Sequence, residues 1–220
     1  DLHFNHSESH TSLIKAQYPE YLVDKIYLDA FEQVVTPGGG RYPGVNSAIN
    51  TRVFNGSLIM NYVGHGSEES WAHERILGVN DISNWSNLDK MPFFITATCS
   101  FSRFDDPNRV SAGEETVLSP KGGAIAIMTT TRVVLAHSNK QLNENFLWHL
   151  FRPVNGEIPR IGEIARLAKN DAANTQKNNR KFGLLGDPSL RLAYPYYNVN
   201  TTSISIKDVS EVADTLKSLT

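Results

Sequence analysis

Cys99, the single cysteine of this 220-residue chain, ends an apolar run, Met91-Pro-Phe-Phe-Ile-Thr-Ala-Thr-Cys99. His65 ends another, Ser57-Leu-Ile-Met-Asn-Tyr-Val-Gly64-His65, and Gly66 follows it. A thiol and an imidazole are the two groups that covalent acyl transfer by a cysteine requires. The thiolate attacks a carbonyl, while the imidazole takes the thiol proton and later returns it to the leaving amine. Backbone N–H groups must then face the oxygen that becomes negative in the tetrahedral intermediate. Gly66 permits close backbone approach beside His65, so its N–H and that of Cys99 are the candidate oxyanion donors, and Gly64 eases the turn from strand into loop. Each residue alone has a plainer explanation. A lone cysteine is usually a small buried hydrophobe, and a histidine after a strand is usually a hydrogen-bonded loop residue. Their joint placement at the ends of two such runs favours chemistry.

Both runs have the length and the β-branched or aromatic content of buried strands, and open α/β sheets place ligands at the carboxyl ends of their strands. Around them, helix and strand patterns alternate. Residues 9–18 predict a helix, Asp24-Lys-Ile-Tyr-Leu-Asp29 alternates as a strand, and Thr36-Pro-Gly-Gly-Gly40 breaks the chain. Val45, Ile49 and Val53 recur at helical spacing up to a stop at Asn55-Gly56. Strands are predicted over 57–63, 93–98 and 123–128, a polar loop over 66–90, and a short helix over 114–118. Leu142, Phe146 and Leu150 mark a helix over 139–151, and Ile161, Ile164, Ala165 and Ala168 mark the next. Uniformly apolar strands separated by helices predict an α/β domain with a mostly parallel sheet flanked by helices. That domain is expected over residues 1–196. The alternation of Thr201-Thr-Ser-Ile-Ser-Ile206, beyond the link Tyr194-Pro-Tyr-Tyr197, makes 197–220 a linker and the beginning of a β-sandwich-like module.

The chain is 40% hydrophobic and 20% charged with a formal net charge of -2, an ordinary globular balance without the basic stripe that nucleic acid requires. No apolar run approaches the roughly 20 residues that span a bilayer. A single cysteine excludes an internal disulfide and leaves the redox compartment unread.

The order of apolar strand, Gly64-His65-Gly66, apolar strand and Cys99 resembles the gingipain-like cysteine endopeptidases, relatives of the caspases. The resemblance continues through Ser111-Ala-Gly-Glu114, Gly122-Gly-Ala-Ile-Ala126 and Thr130-Thr-Arg132 to Gly186-Asp187-Pro188-Ser189-Leu190, and so covers roughly residues 55–192. Leu2-His-Phe-Asn-His6, Asp24-Lys-Ile-Tyr-Leu-Asp-Ala-Phe31 and Asp214-Thr-Leu-Lys217 look like the family's sortase-like member from the type IX secretion machinery. The resemblance implies a caspase-like fold, Cys99 as nucleophile, His65 as general base and acid, and Gly66 and Cys99 as the oxyanion hole. It implies that the carboxylate orienting the histidine, one α/β subdomain and the first strand of this domain's sheet precede Asp1. The exposed sheet edge would then pair with another chain or leave a disordered start, and the chain alone would turn over substrate poorly. The acidic residue behind arginine preference falls at Ser7 and Glu8, with Ser7 at the aligned position, which argues against strict arginine specificity. The implied substrates are exported proteins with a C-terminal secretion signal, and the implied partners are outer-membrane secretion components and an anionic lipopolysaccharide amine as acceptor. The implied location is the outer membrane and cell surface of a Gram-negative bacterium. No cofactor is required, and although some family members carry calcium, no spacing here demands it.

Other residues divide between function and structure. Asp105-Asp106-Pro107 lies where it would line a substrate cleft or form a solvated loop. Trp71 and Trp85 would wall a specificity pocket or form the core of their loop. Glu114 is expected to cap a helix, and Asp187-Pro188-Ser189 to make a turn. His3, His6 and His10 have spacings that suit a metal, but no cysteine or well-placed carboxylate joins them, so no metal site is expected. The rival functions are a non-catalytic scaffold or binding surface and a general secreted endopeptidase.

Overall fold

A computed structural model gives the fold and describes residues 1–172 and 176–195. The expected β-rich start over 197–220 lies outside the described residues. The central sheet has four strands in the order β3 (Ile59–Val63), β6 (Phe93–Ala97), β7 (Ala126–Thr130) and β8 (Phe182–Gly186). The first two pairings are parallel and the last is antiparallel, in agreement with the mostly parallel sheet expected. Every residue of β6 and β7 is buried because helices cover both faces. Phe93, Ile95, Ala126 and Met128 face a core closed by α5 (Ala136–Leu150), α6 (Ile161–Asp171) and Ile14 of α1 (Leu2–Gln17). Phe94 and Ile127 face a second core with α2 (Pro43–Asn55), Ile82 of α3 (Val79–Ser83) and Ala112 of α4 (Ala112–Leu118). Such two-sided burial is why these strands read as continuous apolar runs rather than alternating ones.

Helix α1 starts earlier than its apolar residues indicate. The Asp1 carboxylate caps it, with Oδ1 accepting from the His3 N–H at 2.8 Å and the Phe4 N–H at 3.4 Å, and an N-cap of this kind satisfies donors that no helical carbonyl reaches. Helix α1 packs on α5 and β3. Among the described residues β3 has no strand on its outer side.

The expected strand 24–29 is not one. Residues 24–27 run extended without a sheet partner, and Leu28–Ala30 forms a single 3-10 turn. Its alternation records half-burial of Ile26 and Leu28 against the second core, while Lys25 and Tyr27 bond Glu8 of α1. A period of two reports one-sided burial, and a ladder is only one way to obtain it. The break at 36–40 is a hairpin between β1 (Val34–Thr36) and β2 (Gly39–Arg41). The polar loop 66–90 carries a two-residue pair, β4 (Ser70–Trp71) with β5 (Leu77–Gly78), and α3. Strand β7 begins three residues later than the run 123–128 predicts. Gly123 sits at φ +107, where a Cβ would lie 2.1 Å from the Thr116 carbonyl oxygen, so this glycine is the turn into the strand. The short α7 (Gln176–Asn179) precedes β8.

Candidate active site

The parallel pairing of β3 with β6 sets Val63 opposite Ala97. Two residues further on each strand are His65 and Cys99, and neighbouring strands run about 4.8 Å apart. Side chains alternate across a sheet, so odd-numbered positions of both strands share a face. Ile59, Phe93, Ile95 and Cys99 all belong to or pack against the α5-side core, and Asn61 accepts from Asn143 of α5 at 2.9 Å. His65 follows the same rule, since its ring meets His3 of α1 at a centroid distance of 4.8 Å. The thiol and the imidazole thus leave adjacent strand ends on the same side of the sheet.

The backbone around each group is fixed. The His65 carbonyl accepts from the Ala72 N–H at 2.7 Å and the Tyr62 hydroxyl at 2.6 Å. Tyr62 stacks on Trp71 at 4.3 Å and 6°, and burial pushes its phenol pKa up, so it stays a donor. Trp71, 2% exposed, packs in the core of the loop after His65 and also lines the cavity beside it, whereas Trp85 is core, its indole donating to Asn50 at 2.6 Å. On the other strand Cys99 is half-buried, with Sγ 3.9 Å from the Val134 carbonyl oxygen. Ser100 takes a left-handed φ of +53 immediately after it, and its N–H donates to the Arg132 carbonyl at 3.2 Å. A non-glycine residue held there costs on the order of 1 kcal/mol and ends the strand abruptly, which leaves the thiol at the rim.

Neither the Gly66 N–H nor the Cys99 N–H donates a hydrogen bond among the described residues. A Cβ on Gly66 would stand 2.5 Å from Thr98 Oγ1 and 3.1 Å from the Ser70 carbonyl oxygen. Gly66→Ala is thus expected to displace this segment and lower kcat/KM by about 10²-fold, while alkylation of Cys99, which forms no oxyanion, changes much less. Equal losses in both assays would show that Gly66 matters only for folding.

The loops behind the two groups are tied together. Glu68, three residues after His65, pairs with Arg103 at 3.2 Å, and its carbonyl accepts from the Ala112 N–H at 2.7 Å. Arg109 reaches Glu69 and Asp106, each at 3.5 Å. Asp105 is engaged by Arg132 through Nη1–Oδ1 at 2.9 Å and Nη2–Oδ2 at 2.5 Å, and the guanidinium holds its carboxyl below the usual carboxylate range. The Asp105–Arg132 pair joins the loop after β6 to the loop after β7 rather than leaving an open carboxylate in the cleft. Ser7 is half-buried and lines a cavity of about 810 Å3 that runs from His65 along β3 to Phe151. Glu8 is taken by Lys25 at 2.7 Å and the Tyr27 hydroxyl at 2.5 Å, bonds that keep its carboxyl below its ordinary value.

The three α1 histidines do not converge. His3 faces His65, whereas His6 and His10 are buried toward α5, where burial pushes His10 down to about 4. Among the described residues no three His, Cys, Asp or Glu side chains have the arrangement of a metal site, and no described helix is long and apolar enough to cross a membrane. Glu114 caps α4 as expected, accepting from the Ser111 N–H and hydroxyl at 2.8 and 2.7 Å. Asp187 makes the expected turn by accepting from the Ser189 N–H at 2.8 Å. The sequence carried no signal for His3, His73 or Tyr62 beside His65, because only the fold brings these residues to its ring and carbonyl.

His65 and Cys99 thus follow the carboxyl ends of adjacent parallel strands, β3 and β6. The chain belongs to peptidase family C25, whose model matches residues 2–193. Among solved structures it is similar to gingipain R, the Arg-specific cysteine proteinase, with 20% identity and a TM-score of 0.70, covering 86% of this chain and 42% of that one. It is similar too to the complex of the pro- and mature domains of Porphyromonas gingivalis RgpB, with 21% identity and a TM-score of 0.68, covering 85% of this chain and 43% of that one. These likenesses show the caspase-like fold, and the chain spans about two fifths of the solved chains it matches. No curated protein sequence matches the chain significantly.

Proposed function

We propose that the protein is a cysteine endopeptidase whose nucleophile is Cys99 and whose general base and acid is His65. The observation that supports this is the β3–β6 register, whose last pair, Val63 opposite Ala97, lies two residues before His65 and Cys99. Cys99, deprotonated by His65, attacks the scissile carbonyl and forms a C–S bond. The Gly66 and Cys99 N–H groups receive the oxyanion. As the C–N bond breaks, His65 returns the proton to the leaving amine, and a thioester remains. Water then cleaves the thioester, releasing the acid and regenerating the thiol.

The substrate class we propose is that of the sortase-like family member called PorU: exported proteins carrying a C-terminal secretion signal, cleaved at the surface of a Gram-negative outer membrane. Outer-membrane secretion components would be its partners. An anionic lipopolysaccharide amine could replace water as the acceptor by the same chemistry. The likeness of residues 2–6 and 24–31 supports this, and so do the occupied carboxylates. Ser7 stands at the position aligned with arginine selection, Glu8 is tied to Lys25 and Tyr27, and Asp105 is tied to Arg132. The test compares peptides spanning a secretion-signal junction with unrelated peptides and with arginine-P1 peptides. At least tenfold faster, Cys99-dependent cleavage at the signal junction is expected, since a few well-placed contacts discriminate by about that much. Equal turnover of all three would indicate a general endopeptidase, and arginine preference would overturn the substrate class.

A further inference from the structure

A base that must accept and return a proton needs its ring held, not only its backbone. Among the described residues the His65 imidazole makes no hydrogen bond to a carboxylate or amide, although its carbonyl accepts two. What touches the ring is other rings. His3 stands edge-to-face at 4.8 Å and 81°, and His73 is tilted at 5.6 Å and 40°. We infer that His3 is a positioning residue, an aromatic stop that α1 supplies to set the plane of the His65 imidazole. This rests on the assignment of His65 as the catalytic base.

His3 is itself well fixed. Its N–H is bonded to the Asp1 cap at 2.8 Å, its place in the first turn of α1 sets its direction, and His6 backs it at 6.4 Å and 87°. Edge-to-face pairs of aromatic rings are favoured at this separation. Helix α1 is in turn bound to the rest of the domain through Glu8 to Lys25 and Tyr27, and through Ser9 to Glu144 of α5 at 2.8 Å.

The charge state suits the role. Burial, then the neighbouring His65 and His6, push the His3 pKa down, so at neutral pH its ring is uncharged. An uncharged ring does not oppose the imidazolium that forms when Cys99 gives up its proton. When the pH falls through the lowered His3 pKa, His3 gains a proton and sets a like charge beside His65. The groups facing His3 are the Asp1 carboxylate and His6 on α1, and His65, backed by His73, on the loop after β3.

The test is the pH profile of Cys99 alkylation by iodoacetamide, which reads the thiolate without a substrate. His3→Ala is expected to slow alkylation three- to tenfold at neutral pH, the range of an edge-to-face contact. His3→Phe should restore the neutral rate because it keeps the ring. Wild-type rate and profile in His3→Ala would overturn the proposal, as would a His3→Phe variant as slow as His3→Ala. His65→Ala separates this from the parent assignment. If it alkylates at the wild-type rate, the dyad itself fails. If it is slow while His3→Ala is not, only the role of His3 fails.

Discussion

His65→Ala is expected to lower peptide hydrolysis by about 10³-fold and to remove the fast phase of Cys99 labelling by an acyloxymethyl ketone, while Cys99→Ala abolishes both. The magnitude follows from what the histidine supplies. A positioned general base and acid contributes roughly 10²–10⁴-fold, and without it the thiol reacts only through its small thiolate fraction at neutral pH. His65 and Cys99 follow the ends of adjacent strands, two residues past the paired Val63 and Ala97. Rates of labelling measured side by side for the wild type and His65→Ala decide the matter. Equal, slow labelling in both would remove the dyad, leaving a scaffold with a packed cysteine.

Phe94→Ala is expected to cost about 3–5 kcal/mol of stability, the range for emptying a buried aromatic site. Phe94 is fully buried in the second core, with Trp71 at 5.9 Å and Trp85 at 5.8 Å between ring centroids. The effect reaches the site as well, since Trp71 stacks on Tyr62 and Tyr62 holds the His65 carbonyl. Urea unfolding with an unchanged m-value would measure the loss, and Phe94→Leu should lose less because it leaves a smaller void. A loss under about 1 kcal/mol for the alanine variant would show that the loop collapses into the space.

Legibility in the sequence followed burial. Strands β6 and β7, covered on both faces, announced themselves as uniform apolar runs, and α5 and α6 as apolar stripes at helical spacing. Segment 24–29 misled because its alternation reports a half-buried extended chain whether or not a neighbour pairs with it. Strand β8 shows no apolar run, because Gly183 and Gly186 interrupt it, yet it completes the sheet next to β7. Trp71 and Asp105 were left between two roles by the sequence. The fold buries the first under Tyr62 and commits the second to Arg132.

The groups available for chemistry are legible in the residues alone: one thiol, one histidine between glycines, and the two apolar runs that deliver them. Local propensity and patterning suffice for that, because each signal lies within a few consecutive residues. Only the tertiary structure decided which partners those groups meet. The parity that sends His65 and Cys99 to the same face comes from strand pairing, and the His3 ring arrives from a helix more than fifty residues away in the chain. Long-range contacts of this kind leave no periodic trace in a sequence, since they depend on how whole elements pack.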